Sequence, residues 1–159
     1  MTHATQPRPG THELFISRTF AAPVALIYRL WSEPAHLQRW WGPQDFTCSA
    51  LEMDFRPGGR WRACIESERH GSSWMGGTYR QIEPQRRLVF TFAWEDGRDQ
   101  PGVETLVTVT FTDQGATTLQ TFHQTPFLHE EGRDSHVRGW NSAFDCEAQY
   151  ASQLAGAHP

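Results

Sequence analysis

With 159 residues the chain has the length of one domain and should bury roughly 70% of its unfolded surface around a single core. All 14 of its basic residues are arginine, which excludes Schiff-base lysines, a phosphate-loop lysine and a lysine general base. The net charge of −4 argues against a nucleic-acid footprint, and no apolar run is long enough to cross a bilayer.

The opening "MTHATQPRPGT" carries no apolar core after positive charge, so residues 1–11 are expected to be a disordered polar tail rather than a signal peptide, and 12–156 one domain. Cys48, Cys64 and Cys146 are odd in number and show no CxxC spacing, which predicts free thiols in a reducing, cytoplasmic setting.

"HELFISRTF" (12–20) is rich in β-branched and aromatic residues and predicts the first strand. From Pro23, expected as the first helical residue, Val24, Ile27, Tyr28 and Trp31 recur on one helical stripe until Pro34 interrupts it. "AHLQRWW" then predicts about two further turns, ended by Gly42-Pro43. The paired indoles there pose a problem, because neighbours on a helix point about 100° apart and Trp40 and Trp41 cannot share one face.

From Phe46 the period becomes two. Strands are expected at 46–55, 59–67, 74–82, 87–94, 104–112 and 117–124, separated by short turn signals, hence an antiparallel meander. In "RPGG", Pro57 and Gly58 suit the central positions of a type II turn, and Gly76-Gly77 predicts a bulge. Leu88, Phe90, Phe92 and Trp94 alternate with Val89, Thr91 and Ala93; Trp61, Ala63 and Ile65 alternate with arginines. One face is aromatic and the other is expected to meet solvent, so that loss of Thr91 should matter little.

The final segment places Val137, Trp140, Phe144, Ala148, Ala151 and Leu154 on one stripe of a long helix, with Ser135 as the expected N-cap. His129, Glu130, Glu131, Asp134 and His136 match no metal-ligand spacing, and acidic residues beside a helix start suit its dipole. No metal site, cofactor or catalytic nucleophile is expected: there is no G-x-S-x-G elbow and no cysteine at a recognisable distance from a histidine.

Five ordered motifs, "AAPVALIYRLWSEPAHLQRWWGP", "MDFRPGGRWR", "GTYRQIEPQRRLVFTFAW", "TTLQTFH" and "RGWNSAFDCEAQYAS", resemble the homologue family of the heat-shock-protein-90 ATPase activator, within the START-like, Bet v 1-like (SRPBCC) superfamily. The resemblance implies an α+β helix-grip fold: a curved antiparallel sheet of about seven strands around a long C-terminal helix, two short helices after the first strand, and a cavity between sheet and helix. On that fold the expected cavity is lined by Trp61, Ile65, Met75, Tyr79, Phe90, Phe92, Trp94, Val107, Val109, His123, Trp140 and Phe144. Trp40 and Trp41 are expected at its mouth, one indole packing into the end of the grip and the other bordering the opening.

The expected function is binding of a hydrophobic or aromatic small molecule, as a monomer or homodimer. Two alternatives stand beside it: a protein-interaction module or chaperone ATPase cofactor, and a cyclase- or hydrolase-like enzyme with His123 as its acid–base group. The eukaryotic namesake joins such a domain to a separate chaperone-binding domain, and at 159 residues a second domain is not expected here.

Overall fold

The structure, a computed structural model, describes residues 12–95 and 104–156; the tail expected over 1–11 lies outside the described residues. In chain order it contains β1 (His12–Phe20), α1 (Val24–Ser32), α2 (Pro34–Leu37), β2 (Thr47–Met53), β3 (Arg60–Ser67), β4 (Gly71–Glu83), β5 (Arg87–Trp94), β6 (Thr105–Asp113), β7 (Thr118–Phe127) and α3 (Glu130–Gly156). The seven strands form one sheet ordered β1-β7-β6-β5-β4-β3-β2. Every neighbouring pair is antiparallel, so β2 to β7 is a meander and β1 closes onto β7. The sheet curves around α3, as in the helix-grip fold.

Local chemistry fixes most element ends. Pro23 caps α1 in extended conformation rather than starting it, and Glu33 is extended because the ring of Pro34 disfavours a helical residue before it. The second helix is shorter than its pattern suggested: α2 stops at Leu37, and a last amide bond runs from Trp41 N–H to the Leu37 carbonyl (3.1 Å). Gly42, at φ +107°, then turns the chain away. Between β2 and β3, the Gly59 N–H donates to the Arg56 carbonyl (2.8 Å) with Gly58 at φ +85°, the type II turn that "RPGG" encodes.

The β4–β5 ladder departs from expectation in an informative way. Its register shift lies between Tyr79 and Gln81, not at Gly76-Gly77. Gly77 is required for another reason: a Cβ there would lie 1.8 Å from the Thr91 carbonyl oxygen. The missing side chain lets β5 press against β4, so Thr91 is buried although it alternates with the inward-facing Phe90. The Thr91 hydroxyl accepts the Thr78 N–H (2.8 Å), and the Thr91 carbonyl accepts the Trp61 indole N–H (3.1 Å). Thr91→Ala is therefore expected to cost about 1–2 kcal/mol in urea unfolding, because a ladder amide loses its acceptor. A change below about 0.5 kcal/mol would show that water replaces the hydroxyl.

The acidic pair Glu130 and Glu131 occupies the first turn of α3, where the helix dipole favours it. The helix thus begins five residues before the expected cap, and Ser135 and His136 lie within it. Trp140, Ala143, Phe144, Glu147 and Ala151 are its buried positions.

Candidate functional site

The end of the grip beneath α1 is filled by aromatic side chains gathered around Trp31. The Trp31 ring meets those of Trp40 (4.9 Å between centroids), Phe90 (6.3 Å), Phe111 (6.4 Å), Phe122 (6.5 Å) and Phe144 (6.5 Å). Its indole N–H donates to Gln120 Oε1 (2.9 Å) and Glu147 Oε2 (3.2 Å), while Gln120 Nε2 donates to Glu147 Oε1 (3.1 Å). Glu147 is fully buried, and burial pushes its carboxyl up to about 8, against the two hydrogen bonds and the charge of Arg18. A second polar pair spans sheet and helix: Trp140 Nε1 donates to Gln124 Oε1 (2.8 Å), and Gln124 Nε2 to Thr105 Oγ1 (2.9 Å). These bonds satisfy polar groups that would otherwise oppose burial.

At the other end the packing opens. A pocket of about 240 Å³ lies between β3–β5, α3 and the loop after α2, and includes Trp41, Met75, Phe92, Trp94, His136 and Trp140 among its lining. Trp41 is positioned by α2's final turn and its N–H donates to Met75 Sδ (3.3 Å). Trp94, last in β5, donates its N–H to His136 Nε2 (3.1 Å), and His136 Nδ1 lies 2.7 Å from the Gly132 carbonyl oxygen. An indole N–H can only donate, so the assignment compatible with both bonds is a neutral ring protonated on Nδ1. Among the described lining residues His136 is the sole acid–base group.

Of the twelve residues expected to line a cavity, Ile65, Met75, Phe92, Trp94 and Trp140 border this pocket. Trp61, Tyr79, Phe90, Val107, Val109 and Phe144 are instead buried in the core, where the Trp31 ring meets Phe90 and Phe144. His123 is a correction. It lies on the outer face of β7, bonded to Glu13, while Gln120, Phe122 and Gln124 point inward. The paired indoles serve two compartments: Trp40 packs on Trp31 and donates to the Leu30 carbonyl (3.0 Å), and Trp41 walls the pocket. Trp40 is thus not at the mouth. Sequence reasoning missed Ser73, Ser135, His136 and Gly139; a helix start placed at Glu130 would have brought the last three onto the stripe beside Trp140.

Other candidate chemistry is muted. Burial raises the Cys48 thiol to about 11 and also raises Cys146, which disfavours the reactive thiolate. A larger groove of about 570 Å³ lies on the outer surface of the sheet, but there Arg62 is committed, bonded twice to Glu95 (2.8 and 2.9 Å) and stacked on Trp74.

Curved sheet and gripping helix give the START-like fold, that of a ligand-binding or interaction module in general. The chain belongs to the family of Activator of Hsp90 ATPase homolog 1-like proteins, whose model matches residues 21–150. Among similar solved structures, a protein from Chromobacterium violaceum is 23% identical, with 92% of this chain and 97% of that one covered at a TM-score of 0.77. An AHSA1 protein from Silicibacter pomeroyi is 24% identical, with 92% and 100% covered and a TM-score of 0.79. A protein from Nitrosomonas europaea is 20% identical, with 91% and 96% covered and a TM-score of 0.75. These identities establish likeness of fold. A search of curated proteins finds no match. Among the described residues no helix is long and apolar enough to cross a membrane.

Proposed function

We propose that residues 12–156 act as one START-like domain that binds a small hydrophobic or aromatic molecule in the pocket between the sheet and α3. The observation that carries this reading is the pocket itself, an aromatic-walled space of about 240 Å³ between the sheet and α3. An apolar cavity of about 150 Å³ accepts benzene, and sites for drug-sized molecules begin near 300 Å³, so a one- or two-ring occupant fits. The free thiols of Cys48, Cys64 and Cys146 suit the reducing compartment inferred for it.

The alternatives draw less support. An acid–base enzyme needs titratable groups paired at set positions, whereas the pocket walls are mainly aromatic and apolar. An interaction module needs a contiguous exposed apolar patch, whereas among the described residues the large exposed apolar side chains are Phe15, Leu106 and Leu128, and polar His123 and Thr125 of β7 stand between the first two.

Titration calorimetry with 2-naphthol tests the proposal. Gly139 lines the pocket, and a Cβ there would meet only Pro43 Cγ, at 3.9 Å. Gly139→Leu should occupy the mouth and lower naphthol affinity at least about tenfold. Its melting temperature should hold or rise, because leucine favours a helix interior by up to about 1 kcal/mol over glycine. Equal binding by both proteins would place the site elsewhere.

A further inference from the structure

Building on the pocket reading, we infer that the preferred occupant carries a quaternary or tertiary ammonium group, caged by Trp41, Phe92, Trp94 and Trp140. The rings meet as successive walls of a box. Trp41 and Trp140 are 5.2 Å apart at 77°, Trp140 and Phe92 5.8 Å at 67°, and Phe92 and Trp94 5.5 Å at 83°. An aromatic face is the negative part of the ring and its edge the positive part. All four rings line the one pocket with neighbours near right angles, so an occupant is flanked by aromatic surface on several sides, and ring faces attract an alkylated ammonium.

The rest of the lining agrees with that charge preference. The three indole N–H groups are engaged by Met75 Sδ, His136 Nε2 and Gln124 Oε1, so the walls keep no indole donor for an anion. No arginine occurs among the described lining residues, and the chain has no lysine. No carboxylate lines the pocket there either. Among the described lining residues a primary ammonium or metal ion, which holds its water strongly, would find no carboxylate to replace that water, whereas a bulky alkylated ammonium is weakly hydrated and binds through ring faces. The Ser73 and Ser135 hydroxyls at the pocket wall can serve a hydroxyl on the same ligand.

Choline and its uncharged carbon isostere 3,3-dimethylbutan-1-ol separate charge from shape, and 2-naphthol reports on the pocket independently. Titrations are followed by the indole N–H resonances. Choline should bind at least about tenfold tighter than the isostere, equivalent to about 1.4 kcal/mol and within the range of one or two cation–π contacts. Trp94 is half-buried, which makes it the substitution of choice. The choline-to-isostere ratio should fall toward one in Trp94→Leu and persist in Trp94→Phe, with melting temperatures confirming that both fold. Equal or tighter binding of the isostere overturns the ammonium inference, as does binding of naphthol alone; either result leaves the pocket reading intact. Failure of all three probes to bind removes both.

Discussion

A Trp31→Ala protein is expected to lose about 4–5 kcal/mol of unfolding free energy, a large part of the roughly 5–15 kcal/mol that holds a domain of this size together. Two losses combine. The first is the ring, which joins α1 to both α3 and the sheet through Trp40, Phe90, Phe122 and Phe144. Surrounding residues cannot collapse into the space without moving α1, so a cavity penalty adds to the lost transfer energy. The second is the indole N–H, whose removal leaves Gln120 and the fully buried Glu147 short of a donor. Trp31→Phe separates the two losses: it retains an aromatic ring without the N–H and should recover about half of the stability. Urea unfolding of both variants measures this. If Trp31→Phe is no better than Trp31→Ala, the hydrogen bonds outweigh the packing; a loss below about 2 kcal/mol for alanine would show that the end of the grip repacks.

Elements governed by backbone chemistry were legible in the sequence. Pro34 ends α1, Pro57-Gly58 makes the turn after β2, and the alternation of Leu88, Phe90 and Phe92 gives the inward face of β5. Readings that rested on polarity went astray where polar residues are buried. On β7 the inward set is Gln120, Phe122 and Gln124, so two amides stand where an apolar rule expects solvent. His123, on the other face, then took their place in the expected cavity. Glu147 hid in the same way, although it continues the helical spacing of Trp140, Ala143 and Phe144. Thr91 shows the converse case. Alternation assigns its face correctly, but its burial depends on the close approach that Gly77 allows across the ladder. Pocket size was the least legible feature, because aromatic richness is shared by a cavity wall and a filled core; Trp31 and Trp40 decide between them by occupying one end and leaving the other open.

The largest dependence of stability on pH should come from Glu147. Its carboxyl titrates at about 8 in the folded protein against an ordinary value of 4.5, with burial as the cause. Below about 4.5 the carboxyl is protonated in both states and opposes folding in neither. Between 4.5 and 8 the folded protein keeps a proton that the unfolded chain releases, so stability falls as pH rises, by up to about 1.4 kcal/mol per pH unit. Above 8 the accumulated penalty levels off at about 4–5 kcal/mol. The facing charge is Arg18 on β1, and it offsets the penalty only weakly because its guanidinium is bonded to Asp145 Oδ1 (2.7 Å). Glu147→Gln removes the titration while keeping the shape. With its amide oxygen turned toward Gln120, the new side chain accepts from Gln120 Nε2, and the Trp31 indole keeps its bond to Gln120 Oε1. Urea midpoints of the two proteins should coincide near pH 4.5 and diverge upward, with the glutamine protein more stable by several kcal/mol at pH 9. Comparing the pair cancels every other titrating group, so the divergence reports this carboxyl alone. Parallel curves would mean that Glu147 ionises in the folded state as readily as in water, and would place solvent inside the end of the grip that Trp31 fills.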